Sequence, residues 1–215
     1  MKLVIANKNY SSWSMRPWLL VKHFGIPFEE IMVWLYRSDT RESILKYSPS
    51  GRVPVLIDDG GHVVWDSLAI AETLADRFPQ HALWPTDPVA RALARSVSAE
   101  MHSSFGDIRE AMPMNIKVRR PDIGQRPQLQ SSVARIDALW SECLSKSGGP
   151  FLFGEFCIAD AMYAPVVMRF TSYQPVGLSQ DALAYMERVK ALPAVAEWIA
   201  DSKTEPAIEY YDAIA

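Results

Sequence analysis

Three short segments of this 215-residue chain set hydroxyls, a carboxylate and an unusually placed proline where they could do chemistry. In Tyr10-Ser11-Ser12-Trp13-Ser14-Met15-Arg16-Pro17, clustered serines stand between an apolar run and a helix-like run. Serine is a favoured helix N-cap, so capping is one reading. The other is thiol activation, because a hydroxyl at a helix N-terminus donates to a bound thiol and the helix dipole favours the thiolate. In Ser48-Pro49-Ser50-Gly51-Arg52-Val53-Pro54-Val55-Leu56, a Val-Pro pair opens a strand. Proline cannot join a central ladder, so it marks a strand start, often with a cis bond that leaves the preceding backbone free for a ligand. In Trp65-Asp66-Ser67-Leu68-Ala69-Ile70, a strand passes straight into a helix. Asp followed by Ser makes a good cap. It is equally a corner where amide groups and a hydroxyl converge on a carboxylate while Asp66 receives an ammonium group.

Other candidates lie further along. Met101, His102, Phe105, Arg109, Met112 and Met114 share one face of a helical pattern, which suits an adaptable pocket wall or plain core. His102 reads as a packed or surface histidine. Cys143 and Cys157 have neither CxxC spacing nor a partner histidine cluster, so no metal site and no dithiol centre is expected. Net charge is −3 and the pI near 5.8, which gives no footprint for nucleic acid or an acidic membrane. The short cluster Lys117, Arg119, Arg120 is a solvated loop or a contact to an anionic substrate. No apolar run approaches the ~18–20 residues that span a bilayer, and MKLVIANKNY does not resemble a signal peptide, so the expected location is the cytoplasm.

The elements that must hold these groups alternate at first. Strand patterns over residues 3–6, 28–34, 53–57 and 62–65 interleave with helix patterns near 17–24, 40–46 and 67–78, an order β-α-β-α-β-β-α. Pro17 suits the first turn of its helix. Asp58-Asp59-Gly60-Gly61 is a hairpin signal. Pro79, Pro85 and Pro88 mark a linker. Beyond it only helical periods remain: one long amphipathic helix from Val89 to Met112, a second from Leu129 to Leu144, a helix apolar nearly all round from Ile158 to Phe170, and two shorter ones around Pro193. The expected fold is therefore an α/β N-terminal domain over 1–79, a linker over 80–88 and an all-α bundle over 89–215.

In order and spacing, the Ser segment, "GRVPVL" and "DSLAI", together with the proline linker and Phe151-Leu152-Phe153-Gly154 through Ile158-Ala159-Asp160, resemble the glutathione transferase superfamily. The resemblance covers essentially the whole chain. It implies a thioredoxin-like first domain, glutathione as co-substrate without a metal, a small electrophilic acceptor and a homodimer. Ser11 or Ser12 stabilises the glutathione thiolate in this reading. Trp13, Arg52, Val53, Pro54, Asp66 and Ser67 bind glutathione, and Met101, Phe105, Arg109 and Met112 line the acceptor pocket. The Ser11-Ser12-Trp13-Ser14 loop looks most like the zeta-type Ser-Ser-Cys-Ser loop, with Trp13 where that class has Cys. The alternatives are a maleylacetoacetate-type cis–trans isomerase, against which Trp13 speaks, and a non-catalytic binding scaffold. At Cys157, where the family usually has Ser or Thr, a thiol is a poor cap acceptor, for an expected loss of ~0.5–2 kcal/mol. Asp160 is expected to be structural.

Overall fold

A computed structural model describes residues 1–214. Four strands, β1 (Lys2–Ala6), β2 (Glu29–Val33), β3 (Val55–Ile57) and β4 (Val63–Trp65), form one sheet in the order β2-β1-β3-β4. β1 runs parallel to β2 and antiparallel to β3, which turns back into β4 through the Asp58–Gly61 loop. Strand alternation divides the apolar residues between two faces. Leu3, Ile5 and Leu56 pack with Trp18 and Leu19 of α1 (Ser12–His23) and with Ile70 and Leu74 of α3 (Ser67–Arg77). Val4, Val33 and Val55 face Ile44 of α2 (Thr40–Leu45).

The helical half comprises α4 (Pro88–Ser103), α5 (Gly106–Ala111), α6 (Pro121–Gly124), α7 (Gln130–Ser147), α8 (Ile158–Tyr173), α9 (Gln180–Ala191), α10 (Pro193–Thr204) and α11 (Glu209–Ile214). α8 is the axle. It packs against α1, α4 and α9, and of its sixteen residues only Thr171 is not buried. Its start is tied down by a reciprocal capping box between Cys157 and Asp160. The Asp160 carboxylate accepts from the amides of Leu152 (3.1 Å) and Cys157 (3.0 Å) and from the Tyr185 hydroxyl (2.9 Å). The Cys157 sulfur thus takes the cap acceptor position, where a thiol was expected to cap poorly.

The single long helix expected from Val89 to Met112 is two helices. The chain leaves α4 at Ser104 and turns through Phe105 at φ 61°, in the left-handed region, before α5 begins. The carbonyls freed at the end of α4 need partners. The Arg109 side chain reaches back to supply them, with Nε donating to Ser104 O (3.1 Å) and Nη2 to the carbonyls of Met101 and His102. Pro17 lies well inside α1 because the helix already starts at Ser12. α11 and the one-turn α6 carry no strong apolar period and were not legible in the sequence.

Candidate active site

Ser11 and Ser12 sit together at the start of α1 and have different partners. Ser11 is the N-cap: its oxygen accepts from the Ser14 amide (3.3 Å), and its hydrogen goes to Ser14 Oγ (2.8 Å). Ser14 Oγ also accepts from the Ala6 amide (3.1 Å), so this pair stitches the end of β1 to the start of α1. Ser12 Oγ instead accepts from Arg169 Nη2 (3.1 Å) on α8. Among the described residues its own hydrogen has no acceptor and remains available to a ligand. Both serines face a cavity of about 600 Å³.

Among the described residues, that cavity is lined by Arg37, Arg41, Arg52, Arg109 and Arg169 and by no Asp or Glu. Val53, Met114 and Tyr211 add apolar surface. A second cavity of about 500 Å³ adjoins it along Trp13, Arg52 and Val53, which line both. Its other walls are Pro54, Trp65, Asp66, Ser67 and His102. The Val53–Pro54 bond is cis, and β3 pairing begins only at Val55, so the Val53 backbone lies outside the ladder.

Asp66 adopts φ 76° at the turn from β4 into α3. Its Oδ1 accepts from the amides of Leu68 (2.9 Å) and Ala69 (3.3 Å), so two amides that the sequence left free for a ligand are already occupied. Its Oδ2 lies 3.2 Å from His102 Nε2. Burial pushes the His102 pKa below its ordinary value, Asp66 opposes that shift, and Arg16 and Arg109 add to it. Ser67 is buried and accepts from Arg16 Nη1 (3.4 Å).

Behind the serines lies a cationic core. Arg16 is fully buried, bonded to the Met162 carbonyl (3.3 Å) and Ser67, with Nη2 unpartnered among the described residues. Arg169 donates to the Met112 carbonyl as well as to Ser12. Burial, and then the neighbouring Arg109, lowers the Arg169 pKa to about 10, which still leaves it charged at neutral pH. The guanidinium carbons of Arg16 and Arg109 lie 4.3 and 4.7 Å from the Trp13 ring centroid.

The structure brings Ser11, Ser12, Trp13, Arg52, Val53, Pro54, Asp66, Ser67 and Arg109 to the two cavities. It does not bring Met101, Phe105 or Met112, which line neither cavity. All three are in the hydrophobic core at 1%, 8% and 0% exposure, Met101 on the same buried face of α4 as Ala94 and Val97. Arg119 bonds the carbonyls of Ile116 and Val118, and Arg120 pairs with Asp122, both away from the cavities. Arg16, Arg37, Arg41, Arg169 and Tyr211 were missed. Arg169 did carry a signal, as the one charged residue after Asp160 in an otherwise apolar helix. Both cysteines are buried, and burial raises both thiols well above the ordinary range, Cys143 to about 11, which disfavours the thiolate. No helix among the described residues is long and apolar enough to cross a membrane.

The chain matches two family models, the glutathione S-transferase N-terminal domain over residues 10–77 and the C-terminal domain over residues 122–201. It is 34% identical to maleylacetoacetate isomerase of Pseudomonas aeruginosa over 119 residues, 54% of this chain and 55% of that protein, so this match spans about half the relative's length. It is 26% identical to the zeta-class glutathione S-transferase of Euphorbia esula over 169 residues, 77% and 75% of the two chains. A glutathione transferase homologue from Burkholderia, solved with bound glutathione, superposes with a TM-score of 0.70 at 26% identity, over 95% of this chain and 98% of that one. With both halves matched, the fold shared and the serine loop, Val-Pro and Asp-Ser corners gathered around adjoining cavities, the chain belongs to the glutathione S-transferase superfamily of enzymes, near its zeta-class members.

Proposed function

We propose that this chain is a Ser-type glutathione transferase in which Ser12 stabilises the glutathione thiolate for addition to small electrophiles. The observation that carries this is the difference between the two serines: Ser11 has its hydrogen on Ser14, whereas Ser12 is polarised by Arg169 and keeps its hydrogen for the cavity. The smaller cavity suits glutathione. Asp66 there offers a carboxylate oxygen to an ammonium group, Ser67 a hydroxyl to a carboxylate, Val53 its unpaired backbone, and Arg52 a cation at the boundary. Glutathione itself supplies a thiol with a free pKa of about 8.5. Lowering that by roughly 2 units takes about 2.7 kcal/mol of preferential stabilisation. A charge-assisted hydrogen bond of ~1.5–3 kcal/mol from Ser12, with ~0.3–1 from the start of α1, is sufficient, and no step here calls on a metal.

A second reading, a glutathione-dependent cis–trans isomerase of the maleylacetoacetate type, is favoured by the larger cavity. An arginine lining without acids suits a carboxylate-bearing acceptor. The division into domains at 1–79 and 89–215, a cytoplasmic location, a part in removing electrophiles and a homodimer belong to the same proposal. Half-exposed Trp65 on β4 and exposed Val89 on α4 support contact with a second copy, and a monomer by gel filtration at micromolar concentration would remove the dimer.

The test is ultraviolet titration of the thiolate of glutathione bound to the wild type, Ser11→Ala and Ser12→Ala. A depressed pKa in the wild type and Ser11→Ala that returns to the free value in Ser12→Ala is the expected result. Binding with an unshifted pKa in all three proteins would leave a glutathione-binding scaffold.

A further inference from the structure

Arginines that bind a substrate anion face a conflict. They must be held still, yet the usual holder, a carboxylate, would cancel the charge the substrate needs. The three arginines behind Ser12 are all held by neutral groups. Arg169 has the Met112 carbonyl and Ser12, Arg16 has the Met162 carbonyl and Ser67, and Arg109 has the three carbonyls at the end of α4. Asp66 is the acid that attracts Arg16 from a distance, and its own bonds go to two amides and His102.

Trp13 is the element common to two of these arginines and to both cavities. Its ring lies within 5 Å of the guanidinium carbons of Arg16 and Arg109 and meets His102 edge-on at 5.3 Å. A ring face attracts a cation through its quadrupole and removes none of its net charge. Among the described residues Arg16 Nη2 is buried without a hydrogen-bond partner, so the contact at that end of the guanidinium is the ring.

We infer that Trp13 is a positioning residue: its ring, backed by the buried Arg16, holds Arg109 in register without neutralising it, and so presets a site for the carboxylate group of an acceptor. This rests on the acceptor side of the proposed function and names a residue that sets its preference for anions. It also gives the departure at Trp13 from the cysteine-bearing loop a physical role. The small thiol of that loop has no face on which two guanidiniums could rest.

The experiment measures binding of maleate, a small dicarboxylate, by calorimetry without glutathione. The proteins are the wild type, Trp13→Phe, Trp13→Leu, Arg109→Met and the Trp13→Leu/Arg109→Met double variant. The wild type is expected to bind, Trp13→Leu to bind roughly tenfold more weakly, and Trp13→Phe to lose less than about fivefold because a ring face remains. The double variant is expected to be no weaker than Arg109→Met alone, because the Trp13 effect passes through Arg109. Wild-type affinity in Trp13→Leu, additive losses in the double variant, or no maleate binding by the wild type would each overturn the inference. Should Trp13→Leu fail to fold, the series Trp13, Trp13→Tyr, Trp13→Phe replaces it. Affinity declining in that order supports the ring's role, and equal affinity overturns it. The thiolate titration separates the two proposals, since maleate binding with these couplings but an unshifted glutathione pKa sinks the transferase reading alone.

Discussion

The two adjoining cavities are built on opposite plans. The smaller one is assembled mostly from neighbours in sequence: Val53 with Pro54, and Trp65 with Asp66 and Ser67, two turns carried by one small sheet, with His102 reaching in from α4. It offers both signs of charge, a carboxylate and a cation at the boundary, as a zwitterionic peptide end requires. The larger one draws on side chains from Tyr10 to Tyr211 and contributes cations alone. A turn motif makes the first kind of site wherever the local chain can fold. The second kind exists only while α8 and α5 stand beside α1, so it depends on global packing.

That contrast can be broken most severely at Asp160, which fastens the start of α8 and hence the placement of Arg169. Asp160→Ala leaves the Leu152 and Cys157 amides and the Tyr185 hydroxyl without their acceptor, and is expected to lower unfolding stability by about 3–5 kcal/mol in urea titrations. The same group makes stability depend on pH. Burial raises its pKa to about 6 from an ordinary 3.8, so the folded state holds this proton more tightly than the unfolded chain. The stabilising contribution of the proton is therefore fully present below about pH 4 and lost as pH rises through 6, worth about 3 kcal/mol across that window. Relative to Asp160→Asn, the wild-type urea midpoint should fall as pH is raised from 4 to 7.

Arg169→Met acts on the larger cavity directly. It takes the donor from Ser12 and a cation from the acceptor side, and kcat/KM toward an α,β-unsaturated acid is expected to fall about 100-fold, near 2.7 kcal/mol. An equal fall toward the methyl ester of that acid would mean that the cation serves only Ser12. Ser11→Ala sharpens the comparison from the other side. It removes an N-cap and should lower stability by about 1 kcal/mol in thermal or urea unfolding while the bound thiol keeps its depressed pKa. The smallest effect concerns the mixed-charge cavity. His102 should titrate by NMR below the ordinary value near 6.5, and Asp66→Asn should lower its midpoint further by removing the charge that opposes the shift.

Much of the fold was legible because its signals are local. The β-α-β-α-β-β-α order, the proline-marked linker, the buried helix near 158–170 and the Val-Pro and Asp-Ser corners all follow from period, turn chemistry and the fixed φ of proline. The break at Ser104–Phe105 was not legible. An unbroken three-to-four spacing runs straight through it, and the left-handed turn at Phe105, with the Arg109 guanidinium folded back onto the end of α4, appears only in the structure. Met101, Phe105 and Met112, for which the residues left pocket wall and core both open and the resemblance implied a pocket, lie in the core.

The sequence by itself determined the Val53–Pro54 and Asp66–Ser67 backbone corners, since turn geometry is set by residues next to one another. It could not distinguish the surroundings of Ser11 and Ser12, adjacent residues of the same type at one helix start. That difference comes from Arg169, more than 150 positions away, which reaches Ser12 because α8 is buried against α1. The charge of the larger cavity was decided the same way. The chain carries net charge −3, yet tertiary packing gathers five of its arginines around one space, with no acid among the described lining residues, and no composition or spacing records that distribution.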